Sequence, residues 1–121
     1  FVVDGSIGNL GLVDKPVKIF VKDGFATTIS GGKIARKLER LLTTKKHRNI
    51  AEFAFGTNPK AKITGVTLED EKTEGTVHIA LGNNKSYGGN ANVPFHADCI
   101  IKKPDVFIDG KLVMRRGIFL V

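Results

Sequence analysis

Hydrophobic and polar residues alternate first in PVKIFVKDGFATTIS, where Val17, Ile19 and Val21 interleave with Lys18, Phe20 and Lys22. Asp23-Gly24 then offers a two-residue turn, so a β-hairpin is expected. After Ser30 the period lengthens. From Gly32 to about Thr43 the apolar residues Ile34, Leu38, Leu41 and Leu42 recur at helical spacing, with Lys33, Arg36, Lys37 and Arg40 on the other side. This predicts an amphipathic surface helix with Ser30 as its cap.

IAEFAFGTNP reads as a short strand that stops at a Gly-Thr-Asn-Pro turn. TLEDEKTEGTVHIALG follows, with four acids ahead of His78, and the last third returns to β pattern in VPFHADCII and DVFIDGKLVMRRGIFLV, where Asp109-Gly110 marks another hairpin turn. The chain contains no internal repeat and no low-complexity segment. The fold class expected is α+β, built of antiparallel β-hairpins with one amphipathic helix.

At 121 residues the chain suits one domain, 1–121, with a real core. Its 41% hydrophobic and 26% charged residues are those of an ordinary globular protein. No apolar run approaches the roughly 20 residues of a membrane span, and the first residues lack the pattern of a signal peptide. The single cysteine, Cys99, excludes an internal disulfide and points to a reducing, cytoplasmic setting; within its apolar strand it reads as a buried, inert thiol. The net charge of +7 raises nucleic acid as a partner. Against that, the basic residues are spread along the chain and the phenylalanines lie in apolar runs, where core is the better reading. The basic run Lys45, Lys46, His47 and Arg48 fits cations at a helix C-terminus.

Three apolar segments carry metal-capable side chains: Glu52, His78, and the pair His96 and Asp98. Residues two apart on a strand share a face, so His96 and Asp98 point the same way. Burying a charge costs several kcal/mol unless it is paired or bound to a metal. Imidazole nitrogen with carboxylate oxygen suits zinc, iron or manganese, and the lone cysteine rules out a thiolate cage. Each residue also has a structural alternative: His78 as a satisfied core histidine, Asp98 paired with Lys102, Glu52 at an exposed strand edge.

The strings EFAFGTN, TLEDEKTEGTVHIALG, GGNANVPFHADCII and MRRG resemble the C-terminal region of the thermophilic aminopeptidase family of metallopeptidases. That resemblance implies a metal-dependent aminopeptidase that hydrolyses the N-terminal bond of a peptide substrate. It implies two divalent ions (Zn, Co or Mn), with Glu52 as bridging ligand and His78, His96 and Asp98 as further ligands. Glu71 is then the catalytic acid or base, and Tyr87 a catalytic hydroxyl that donates to the oxyanion, although Lys85 occupies the offset where the family has its tyrosine. The same resemblance implies a C-terminal domain fragment that lacks an N-terminal α/β domain and the family's first metal-binding glutamate, with a homodimer as the full-length form.

A different chemistry uses three of the same residues. His78, His96 and Asp98 are also the ligand set of a mononuclear non-haem Fe(II) oxygenase, and relatives in the same superfamily resemble dihydroxypyridine dioxygenases. Glu52 separates the two, since a single iron gives it no bridging task. A non-enzymatic binding module, with nucleic acid as the least unlikely partner, ranks behind both.

Overall fold

The computed structural model describes residues 1–120. Three short strands, β1 (Val2–Val3), β2 (Ser6–Ile7) and β3 (Gly11–Leu12), lead into the expected hairpin of β4 (Val17–Lys22) and β5 (Phe25–Ser30). Its turn places Asp23 and Gly24 at φ 52° and 82°, the doubly positive conformation of a two-residue hairpin loop. The helix α1 (Gly32–Leu41) follows and buries Ile34, Ala35 and Leu38 against this hairpin.

The cap of α1 is not Ser30, which is engaged in the ladder opposite Lys18. The Asp14 carboxylate takes its place. It accepts hydrogen bonds from the backbone N–H groups of Lys33 at 2.9 Å and Ile34 at 3.0 Å, which hold its pKa down to about 2. The basic run does not lie at the helix end either. Lys45–Arg48 forms a separate 3-10 turn, in which Arg48 pairs with Glu39 and His47 bonds the Thr44 hydroxyl at 2.7 Å.

Beyond the turn come β6 (Ile50–Phe55), a one-turn helix α2 (Thr67–Asp70), β7 (Thr76–Gly82) and β8 (His96–Lys102). The chain closes with β9 (Val106–Ile108), β10 (Lys111–Arg115) and β11 (Ile118–Phe119). Among the described residues the main sheet has the order β3-β2-β8-β7-β6, antiparallel throughout. The α+β expectation of mostly antiparallel strands with few helices therefore holds.

One face of this sheet is packed. Leu81, Ala97 and Cys99 meet α1 and β4, while Val77 and Ile79 meet Val106 and Met114 of the C-terminal hairpins. Cys99 is fully buried, and burial pushes its thiol pKa up, as an inert thiol requires. The phenylalanines depart from the core reading. Phe20 and Phe107 are exposed on strands covered on one face only, and Phe53 is exposed on the edge strand β6. The opposite face of the main sheet carries the polar side chains.

Candidate metal centre

Antiparallel partners directly opposite one another share a face, and the register of three adjacent strands fixes which side chains meet. Glu52 of β6 lies opposite Ala80 of β7, and Ala80 lies opposite Asp98 of β8. His78 and Gly82, each two residues from Ala80, share that face, and Gly82 lies opposite His96. The central strand thus offers alanine and glycine where the flanking strands present carboxylate and imidazole. Those small residues leave room above the sheet.

Glu52 reaches this face through a bulge. Ile50 pairs with Leu81 and Glu52 with Ala80, so Ala51 is one residue more than β7 can match. The bulge lets Ile50 and Glu52, two residues apart, face opposite sides of the sheet.

The four side chains converge. The Glu52 carboxylate sets Oε1 3.4 Å from His78 Nε2 and Oε2 3.4 Å from His96 Nε2. Asp98 Oδ1 is 3.4 Å from the same His96 nitrogen. Ligand atoms of Glu52, His78 and Asp98 all fall within 4.8 Å of one another. His96 Nδ1 lies 2.8 Å from the backbone oxygen of Asn83, which can only accept, so this nitrogen carries the hydrogen. Nε2 is therefore the ring nitrogen left to face the two carboxylates.

These separations are long for charge-assisted hydrogen bonds, which close to about 2.7–2.9 Å. His78 Nδ1 and Asp98 Oδ1 are buried without a hydrogen-bond partner. Burial, and then the hydrogen bond shared with Glu71, push the Asp98 carboxyl up to about 6. Two buried, unpartnered polar atoms beside a second imidazole and a second carboxylate fit a divalent transition metal. Among the described residues Asp98 forms no ion pair with Lys102; its Oδ1 faces His96 Nε2 instead.

Glu71 and Tyr87 also reach the site. Glu71, just after α2, is largely buried; burial opposes its ionisation, but hydrogen bonds with Lys72 and Asp98 prevail and lower its pKa. The charge of Glu52, foremost, raises the Tyr87 hydroxyl above its usual range, so it remains a donor. The Tyr87 ring stands 6.3 Å from that of His96.

Two structural supports escaped the sequence reading. Asp70 is fully buried, and its carboxylate accepts from Ser6 Oγ at 2.5 Å, Thr64 N at 2.7 Å and Gly65 N at 3.0 Å. It ties β2 to the loop before α2. These two segments are the lips of a cleft of about 520 Å³ that ends at Glu71, His96 and Asp98. Asn83 is the second support. Its backbone fixes His96, while its side chain bonds Val93 O at 2.9 Å and Asn92 Oδ1 at 3.3 Å. One acid among four and one asparagine in a loop carry no periodic signal.

A family model described as NicX, 2,5-dihydroxypyridine 5,6-dioxygenase, matches residues 6–121. A curated relative from Pseudomonas putida, named 2,5-dihydroxypyridine 5,6-dioxygenase, is 25% identical over 113 residues, covering 84% of this chain and 32% of the relative. The chain thus spans about a third of that relative's length. The solved structure of the 2,5-dihydroxypyridine dioxygenase from Pseudomonas putida superposes with a TM-score of 0.84 at 23% identity, over 99% of this chain and 39% of that one, and shows the same fold.

These matches overturn the aminopeptidase resemblance. The relatives are dioxygenases, so the hydrolase and protease chemistry, the peptide substrate and the assignment to a peptidase's domain organisation are withdrawn. Apart from MRRG, the strings that carried the resemblance encode three neighbouring strands with metal-capable side chains. Such a scaffold does not specify whether water or dioxygen reacts on it. Among the described residues no helix is long and apolar enough to cross a membrane.

Proposed function

Because the chain belongs to the 2,5-dihydroxypyridine 5,6-dioxygenase family, we propose that it is an iron-dependent, ring-cleaving dioxygenase domain for a hydroxylated pyridine. The observation that carries this reading is the convergence of two imidazoles and two carboxylates on one sheet face. His78, His96 and Asp98 would hold one ferrous ion as two nitrogen ligands and one oxygen ligand, the set that leaves coordination positions free. Bound there, the metal supplies the redox chemistry that brings dioxygen and an electron-rich ring together.

The protein's own groups account for the rest. The Asn83 carbonyl holds His96 in the tautomer that presents Nε2. Glu71 lines the same cleft as Asp98 and is held in place by its ion pair with Lys72. Glu52, the extra acid, takes the proton from a ring hydroxyl as the substrate settles, and Tyr87 returns a hydrogen bond to it. Glu52 need not bridge two ions in this scheme, so one metal suffices.

The test is anaerobic loading with Fe(II), followed by metal analysis and by dioxygen uptake with 2,5-dihydroxypyridine. One iron per chain is expected, lost in Asp98→Ala and His96→Ala. Glu52→Gln should retain the iron and slow turnover by about 100-fold, the usual contribution of a general base. Iron retained at one equivalent by Asp98→Ala would remove this assignment.

A further inference from the structure

The cleft that ends at His96 and Asp98 has an exposed apolar lip. Val66 is 62% exposed and Leu68 75% exposed, on a short segment that buries neither. Both line the cleft. Large apolar side chains are normally tolerated singly at a surface, but two beside a polar metal-capable end form an asymmetric site.

The cleft is also held open. The facing lip is Gly8-Asn9-Leu10-Gly11, with Asn9 at φ 65° and Gly11 at φ 82°. A Cβ at Gly8 would lie 3.2 Å from the Asp98 backbone nitrogen, and one at Gly65 would lie 3.2 Å from the Leu12 side chain. Asp70 joins the two lips, since one of its oxygens accepts from Ser6 on one side and Gly65 on the other. The width of the cleft is thus set by a buried hydrogen-bonded tie.

We propose that Val66 and Leu68 are specificity-determining residues that pack on the face of a single flat, hydroxylated heteroaromatic ring, while its oxygen substituents reach the His96–Asp98 end. This deepens the dioxygenase reading and rests on it for the orientation of the ring. The occupant follows from the chemistry of the walls: apolar contact on one lip, backbone and asparagine polarity on the other, and imidazole with carboxylate at the end. The volume falls within the range of about 300–1,000 Å³ typical of small-molecule sites.

The test uses the protein loaded with zinc as a diamagnetic stand-in, and 3-hydroxypyridine as the probe, followed in methyl-resolved NMR spectra. The probe should shift the Leu68 and Val66 methyl resonances by its ring current. Leu68→Ala, at an exposed position where folding is not at risk, should weaken binding about ten-fold with metal content unchanged, as expected for apolar groups lost from a pocket. It should also improve binding of the two-ring 6-hydroxyquinoline relative to the one-ring probe. Unchanged affinity in both Leu68→Ala and Val66→Ala, or shifts confined to residues outside the cleft, would overturn the proposal while iron loading and dioxygen uptake stood. Conversely, Leu68 shifts in a protein that takes up no iron would support the lip and sink the dioxygenase reading.

Discussion

Substituting Asp70 by asparagine isolates the tie between the two lips of the cleft. The side chain keeps its shape, but one acceptor becomes a donor. If the amide nitrogen takes the Oδ1 position it opposes the Thr64 N–H; in the Oδ2 position it opposes the Gly65 N–H. The Ser6 hydroxyl can rotate to accept, whereas a backbone N–H cannot. Either orientation leaves one buried donor unsatisfied, at roughly 1–3 kcal/mol. Loss of the charge weakens the surviving bonds, each charge-assisted bond being about twice as strong as a neutral one. Together these give about 3 kcal/mol. With a urea m-value of about 1.5 kcal/mol per molar, the unfolding midpoint should fall by about 2 M. Ser6→Ala, which removes one donor and its bond, should cost about 1 kcal/mol. A midpoint for Asp70→Asn within about 0.3 M of the parent would show that the loop merely lets go of the sheet, and that Asp70 does not hold the cleft.

Leu38, fully buried between α1 and the β4–β5 hairpin, should cost about 2–5 kcal/mol as Leu38→Ala in the same urea assay; under 1 kcal/mol would mean the helix is not anchored there. Gly82 has φ 106°, and a Cβ there would lie 2.3 Å from the Phe95 carbonyl oxygen. Gly82→Ala should therefore lose at least about 2 kcal/mol and take up less iron because His96 moves; full iron content would contradict the role given to this strand end. Asp14 is held at about 2, below its ordinary 3.8, by the helix N–H groups it caps. Its contribution is complete above its unfolded value, near pH 4, and disappears as pH falls towards 2. Asp14→Asn should flatten the acid limb of stability, and urea midpoints of parent and variant with the same slope between pH 4 and 2 would refute the cap.

The hairpin at Asp23-Gly24, the amphipathic stripe of α1 and the strand within IAEFAFGTNP were legible because each is a local pattern. So was the shared face of His96 and Asp98. What the sequence hid is non-local. Asp14 caps a helix 18 residues away, and no spacing rule links them. The acids of TLEDEK read alike, yet Asp70 is a buried structural tie and Glu71 lies against Asp98, because a one-turn helix sends neighbours in different directions. The turn Arg116-Gly117 between β10 and β11, with φ 48° and 78°, passed unnoticed because arginine is not a usual residue for a positive φ. The chemistry was misjudged for a different reason: motif strings report where ligands stand, not what reacts over them.

The extra residue in β6 has an evolutionary consequence. Ala51 is a single-residue excess confined between Ile50 and Glu52, with the ladder regular from Glu52 onward. Loss of that one codon would close the ladder and leave Ile50 opposite Leu81 and Glu52 opposite Ala80. The bulge is thus a buffer: a change of one residue in the chain arriving from the Lys45–Arg48 turn can be absorbed there while Glu52 keeps its place beside His78 and His96.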